Sequence, residues 1–244
     1  MSGGAAPSPP LSVVVPVKDE AGNVGPLARE IAAALAGESH EILFVDDGST
    51  DGTAAALAAL KSELPQLRVL RHDRNLGQSR SIRSGVLAAR GDIIVTLDGD
   101  GQNDPADIPK LLAMLRADSQ AAMVSGVRVK RKDSVSRRLA SKLGNGFRSM
   151  LLGDGATDTG CGLKVFRRSV FLELPYFDHF HRFLIALVQR EGWKVTFVPV
   201  NHRPRLTGTS KYTNLGRLLV SMQDLLGVRW LQRRHRGRAE IREL

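Results

Sequence analysis

The feature that most constrains this chain is its rhythm. Short apolar runs at Leu11–Val17, Ile42–Val45, Leu67–Leu70, Ile93–Leu97 and Ala122–Val127 alternate with Ala- and Leu-rich amphipathic stretches such as Asn23–Ala36 and Thr53–Leu60. Runs this short and this apolar suit strands buried on both faces, a situation created when helices cover both sides of a parallel sheet. The alternation predicts an α/β fold with a mostly parallel sheet flanked by helices.

Beyond residue 127 the pattern changes. A basic stretch comes first, then the Gly-rich Gly153–Gly162, a strand candidate at Lys164–Phe166, a helix near His179–Arg190, a strand near Lys194–Val200 and a last helix from Asn214. No long linker interrupts this order and no repeat is present, so one domain is expected. With 244 residues and 42% hydrophobic content, apolar material for one core is ample. Residues 1–10 are small and Pro-rich, without a basic segment followed by an apolar core. They predict a flexible leader and a cytoplasmic protein. A single cysteine, Cys161, excludes an internal disulfide and a multi-cysteine zinc site, in keeping with a reducing compartment.

The chemistry concentrates where strands end. Ile93–Leu97 runs directly into Asp98-Gly99-Asp100-Gly101-Gln102. Two carboxylates one residue apart at the carboxyl edge of a parallel sheet stand where hard divalent cations and phosphates are held, which points to metal-assisted nucleotide chemistry. The first strand is followed by Pro16-Val17-Lys18-Asp19-Glu20, and the second by Asp46-Asp47-Gly48-Ser49-Thr50-Asp51-Gly52-Thr53. In the latter, Gly permits a tight turn and Asp51 or Thr53 can cap the next helix. Adjacent carboxylates at a buried edge, Asp46 and Asp47, are costly without a ligand, and suit ribose hydroxyls or base edges. Neither a Gly-x-Gly-x-x-Gly fingerprint nor a phosphate-loop lysine occurs, which removes support from ordinary dinucleotide and ATP-hydrolysing functions.

Taken in order, Val13-Val14-Val15-Pro16 with Glu20, Val45-Asp46-Asp47-Gly48-Ser49, Asn75-Leu76-Gly77, Gly91-Asp92 and Leu97–Gln102 resemble the family 2 inverting glycosyltransferases of GT-A fold. Asp158–Lys164 and His202–Tyr212 narrow the resemblance to the dolichyl-phosphate mannose synthase branch, including bacterial transferases that load sugars onto polyprenyl phosphates. It implies a GT-A domain over 11–212, followed by an amphipathic, basic C-terminal helix and tail over 213–244. It implies that Pro16, Lys18, Glu20, Val45 and Asp47 hold the base and ribose of a nucleotide diphosphate sugar, with Gly99 beside them. It implies that Asp98, Asp100 and Gln102 hold Mg²⁺ or Mn²⁺ against the diphosphate, and that Arg205 and Lys211 close over the donor. A phosphate monoester acceptor is already anionic, so it needs positioning and charge compensation rather than a strong base, and Arg128, Arg131, Arg137 and Arg138 are suitable guanidinium forks. Asp158 matches an acidic position near the acceptor, orienting it or assisting as base, with a structural turn as the alternative. Mannose and glucose lead as donor sugars for a cell-envelope product.

The net charge of +10 calls for an anionic partner. Between Ser134 and Leu152, Leu139, Leu143, Phe147, Met150 and Leu151 repeat at helical spacing among basic residues. A second apolar row, Leu215, Leu218, Leu219, Met222, Leu225, Leu226, Trp230 and Leu231, ends in an arginine cluster. Both suit an anionic membrane surface, with core packing or a dimer interface as the alternative. No run of about 18 apolar residues occurs. A peripheral protein on the inner face of the membrane is expected, with an integral membrane partner as an option. The competing functions are a family 2 transferase with a glycan acceptor, a nucleotidyltransferase, and a basic nucleic-acid-binding module. The last needs stacking platforms that 5% aromatics scarcely offer, so no nucleic acid is expected.

Overall fold

The computed structural model describes residues 10–129, 146, 148–204 and 214–237, with side chains in the last stretch from Met222 onward. The leader falls almost wholly outside the described residues. Strands β1 (Leu11–Val17), β2 (His40–Asp46), β3 (Leu67–Arg71), β4 (Ile93–Thr96) and β5 (Ala121–Arg128) alternate with helices α1 (Ala21–Ala34), α2 (Thr53–Leu60), α3 (Gln78–Ala88) and α4 (Ile108–Ala117). Then follow β6 (Lys164–Arg167), α5 (Arg168–Glu173), α6 (Leu184–Arg190), β7 (Lys194–Val200) and α7 (Asn214–Arg234).

The strands form one seven-stranded sheet in the order β3-β2-β1-β4-β6-β5-β7. β1 pairs in parallel with β2 and β4, and β5 with β7, whereas β6 runs antiparallel to both neighbours. The sheet is therefore mostly parallel, as the alternation requires. Strand periodicity divides the core into two layers. Leu11, Val13, Val15 and Val17 of β1 join Ile42 and Phe44 of β2 beneath α1, α2 and α4. Val14, Leu43 and Val45 point the other way, toward α3, α5, α6 and α7. Gly85 lets α3 approach the second face, since a Cβ there would stand 2.4 Å from Val14 Cγ1.

Two expectations need correction. The helix near His179–Arg190 is divided into a 3₁₀ turn, Phe180–Arg182, and α6. His179 precedes the turn with φ 63°, a left-handed conformation that breaks the helical path. Asp47 also needs no ligand to be buried, and Asp46 is served at one of its two oxygens. Asp46 Oδ1 accepts from Ser49 N–H at 2.9 Å, and its Oδ2 lies 3.3 Å from Arg71 Nε. Asp47 accepts from Leu76 N–H at 2.9 Å, from Gly77 N–H at 2.8 Å, and pairs with His72 Nδ1 at 2.8 Å. The protein's own donors offset the desolvation of Asp47, while Asp46 Oδ2 is buried with the Arg71 ion pair and no hydrogen bond.

Candidate donor and metal site

The strand-end loops converge at one edge. Those after β1 and β2 interlock: Asp19 N–H donates to Ser49 Oγ at 2.9 Å, Glu20 N–H to Thr53 Oγ1 at 2.8 Å, and Thr50 N–H to Asp19 Oδ1 at 2.8 Å. Asp51 accepts from Thr53 N–H at 2.9 Å, so Ser49–Thr53 is a structural clasp starting α2. Lys18 Nζ donates to the Gly48 carbonyl at 3.0 Å, and Glu20 accepts from Asn23 Nδ2 at 2.5 Å. Both are thus fixed within the β1 loop. Val45, expected at the base, is fully buried in the second core layer, because the strand alternation turns its side chain toward α3.

Beside these loops the turn after β4 brings Asp98 and Asp100 into electrostatic contact. Burial first, and the Asp100 charge second, push the Asp98 carboxyl up to about 6, against the opposing pull of Lys164 and Arg128. Gln78 Nε2, opening α3, donates to Asp98 Oδ1 at 2.7 Å. Gln102 N–H donates to Asp100 Oδ1 at 3.1 Å, and Asn103 Oδ1 accepts from Asp98 N–H at 3.0 Å, which together shape the turn. Two glycines make the geometry possible. A Cβ on Gly99 would lie 2.3 Å from Val17 Cγ1, and one on Gly162 would lie 2.4 Å from the Asp98 carboxyl carbon.

The donor set fits a hard divalent cation. Asp98 and Asp100 are neighbouring carboxylates of the hard oxygen type that Mg²⁺ or Mn²⁺ takes, and Gln102 follows them in the same turn. A carboxyl whose ionisation is resisted by a second carboxylate gains from a cation there. Among the described residues no group of three acidic, His or Cys side chains forms a self-sufficient metal cage.

Asp98 also forms one wall of a cleft of about 230 Å³, together with Pro16, Gln78, Lys164, His181 and Arg182. Lys164 is buried and donates to the Cys161 carbonyl, and burial lowers its pKa. His181 and Gln78 carry no sequence signal of their own beyond Gln78 following the Asn75-Leu76-Gly77 motif. At the edge of β5, Arg128 and Asp158 form a bidentate pair, Nε to Oδ2 at 2.8 Å and Nη2 to Oδ1 at 2.7 Å. Arg128, expected at the acceptor phosphate, thus has two of its side-chain donors engaged by Asp158. Arg131, Arg137 and Arg138 lie outside the described residues, as do Arg205 and Lys211. Residues 202 and 203 are nonetheless fastened to the turn after β4. Asn103 bridges His202, Arg203 N–H donates to the Gln102 carbonyl at 2.9 Å, and the Arg203 guanidinium pairs with Glu30 and Asp104, each at 2.6 Å.

The protein-family model for glycosyl transferase family 2 matches residues 12–174. Dodecaprenyl-phosphate galacturonate synthase of Rhizobium johnstonii is 36% identical over 91% of this chain and 67% of that protein. Undecaprenyl-phosphate 4-deoxy-4-formamido-L-arabinose transferase of Klebsiella pneumoniae is 36% identical over 88% of this chain and 66% of that protein. The chain thus spans about two thirds of the length of these relatives. The fold is shared with mannosyl-3-phosphoglycerate synthase from Rubrobacter xylanophilus, at TM-score 0.66 and 18% identity over 92% of this chain and 74% of that one. It is shared too with a mannosyltransferase from Pyrobaculum calidifontis in complex with GDP-Man and Mn²⁺, at TM-score 0.65 and 18% identity over 96% of this chain and 66% of that one. A GT-A sheet, an acidic turn at its carboxyl edge and a family match spanning β1 to the end of α5 converge on one conclusion: the chain belongs to glycosyl transferase family 2.

Proposed function

We propose that this protein transfers a sugar from a nucleotide diphosphate sugar to a polyprenyl phosphate at a membrane surface. The observation that carries the acceptor class is the 36% identity, over 91% and 88% of the chain, to two transferases whose names specify dodecaprenyl and undecaprenyl phosphate. The names of those relatives give galacturonate and 4-deoxy-4-formamido-L-arabinose, which join mannose and glucose as the donor sugars to test.

The residues support the chemistry as follows. Asp98, Asp100 and Gln102 would hold Mg²⁺ or Mn²⁺, which when bound neutralises charge on the diphosphate leaving group. The acceptor phosphate oxygen attacks the anomeric carbon as the bond to the nucleoside diphosphate breaks, and attack opposite the leaving group inverts that carbon. No base is needed for an oxygen that is already anionic, so the chain contributes orientation and positive charge. Arg131, Arg137 and Arg138 provide that charge together with Arg128, whose direction is set by Asp158. Arg205 and Lys211, outside the described residues, would add positive charge at the diphosphate; His202 and Arg203, which precede them in sequence, are tied to Asn103 and Gln102.

Membrane attachment is peripheral in this proposal, on the cytoplasmic face. Among the described residues no helix is long and apolar enough to cross a membrane. The apolar row of α7 is divided between two faces: Leu225 and Val228 are buried, while Met222, Leu226 and Trp230 are exposed one turn apart. Arg234 stacks on Trp230, with Cζ 5.7 Å from the ring centroid, and Arg229 and Arg233 adjoin. Exposed apolar side chains flanked by guanidinium groups match an anionic headgroup layer.

The test is transfer of radiolabelled sugar from UDP- and GDP-sugars to undecaprenyl phosphate with Mg²⁺ or Mn²⁺. Metal-dependent label in the organic phase, lost in Asp100→Ala, is expected. Donor binding without lipid product for any sugar would overturn the acceptor assignment.

A further inference from the structure

The cleft beside Asp98 contains a polar group that the transfer chemistry does not use. His181 Nδ1 lies 2.7 Å from Ser79 Oγ, across 102 residues of sequence. Ser79 is fully buried on the first turn of α3, next to Gln78, whose amide reaches Asp98. His181 occupies the 3₁₀ turn Phe180–Arg182, and Phe180 anchors that turn through ring contacts to Phe171, Tyr176 and Phe177. The turn is closed by Phe180 N–H to the Phe177 carbonyl and Phe183 N–H to the Phe180 carbonyl, at 3.2 and 2.8 Å. The imidazole is thus held from both sides while its ring lines the cleft.

Its charge state follows from its surroundings. Burial first, then the positive charges of Arg182 and Lys164 and of His179 when protonated, lower its pKa to about 3, so the ring is neutral under ordinary conditions. With Nδ1 engaged by Ser79, the ring presents Nε2 as its remaining polar atom. A neutral ring nitrogen is poorly suited to a phosphate, which the cations of this edge serve better, and well suited to a hydroxyl, which both donates and accepts. A cleft of about 230 Å³ is below the usual range for drug-sized ligands and in keeping with a single sugar ring.

We propose that His181, oriented by Ser79, determines donor specificity by hydrogen-bonding a hydroxyl of the transferred sugar. This rests on the transferase function above. A histidine satisfied by Ser79 for structure alone would affect folding without distinguishing a nucleotide sugar from the bare nucleotide.

The experiment compares affinities of the full chain for UDP and GDP with those for UDP-glucose, UDP-galacturonate and GDP-mannose, in the presence of Mn²⁺. His181→Ala is expected to weaken the preferred nucleotide sugar about tenfold while leaving its nucleoside diphosphate within about twofold. His181→Gln, which keeps a polar group on the cleft wall, is expected to retain part of the sugar affinity and to alter the ranking of the three donors. Should His181→Ala fail to fold, Ser79→Ala serves in its place, with a smaller loss in the same direction. Equal losses for sugar-bearing and bare nucleotides, or no loss, would overturn the role of His181 while leaving the transferase function standing. Failure of the wild-type chain to bind any nucleotide or nucleotide sugar would overturn both.

Discussion

Arg128 and Asp158 hold one another through three contacts. Nε and Nη2 of the guanidinium reach the two carboxylate oxygens at 2.8 and 2.7 Å, and the Arg128 backbone N–H adds a third bond at 3.0 Å. The side chains are 15% and 7% exposed, so each charge has its hydrogen-bonded counter-charge in the other, with Lys164 near Asp158 and Asp98 near Arg128 adding weaker compensation. Removing one partner of such a buried pair leaves an uncompensated charge, whereas removing both does not. Asp158→Ala is expected to lower stability by about 3–5 kcal/mol in urea denaturation, and Arg128→Ala/Asp158→Ala to cost less than the two single losses combined. Additive losses would show that the pair is not a unit.

Stability should depend on pH through Asp98. The folded carboxyl titrates at about 6, above its ordinary 3.8, so the fold holds that proton more tightly than the unfolded chain. Stability therefore falls as pH rises from about 4 through 6, by up to about 3 kcal/mol. Asp98→Asn is expected to raise the metal-free Tm at pH 7.5 by on the order of 5 °C, and to match wild type near pH 4. The same variant should lose the Tm gain that Mn²⁺ gives wild type. A lower Tm for the variant at pH 7.5 would show that the carboxylate is not strained by burial.

Gly162 is close enough to the Asp98 carboxyl that a Cβ would sit 2.4 Å from it. All three nearest atoms belong to the Asp98 side chain, so an added methyl can be accommodated only by moving that carboxyl group. Gly162→Ala is expected to displace Asp98 and weaken Mn²⁺-dependent donor binding at least about tenfold by calorimetry. Gly227→Ala is a suitable comparison: it lies in α7 with no atom within 4 Å of the added methyl, and should bind donor normally while gaining up to about 1 kcal/mol of helix stability.

Replacing Met222, Leu226 and Trp230 together by Ser should reduce sedimentation with vesicles containing anionic lipid, leaving the thermal transition nearly unchanged. Leu225→Ser should do the reverse, because Leu225 is 5% exposed and packs in the core. The Trp230 emission of the wild type is expected to shift to shorter wavelength on vesicle addition. Equal vesicle binding by the triple variant would assign the stripe another partner.

Much of this was legible along the chain. The apolar runs at Leu11–Val17, Ile93–Leu97 and Lys194–Val200 became β1, β4 and β7 with only small shifts at the ends, because period and burial are local signals. The Asp98–Gln102 turn was legible for the same reason: a carboxylate pair directly after a buried strand must fall at the sheet's carboxyl edge. α7 was legible as a helix but not as a helix with two apolar faces, since spacing alone does not say which row meets Leu225's neighbours and which meets solvent.

The α/β alternation, the acidic turn and the order of the family motifs can be read along the chain, because each depends on residues near one another in it. Folding in three dimensions sets the rest: β6 enters antiparallel between β4 and β5, His72 and the loop 75–77 satisfy Asp47, Arg128 turns to Asp158, and Ser79 meets His181. The polar pairings among these join groups separated by 25 to 102 residues. Each is chosen by a competition among buried donors and acceptors that exists only after the sheet has closed, when every polar group left without water must find a partner within reach.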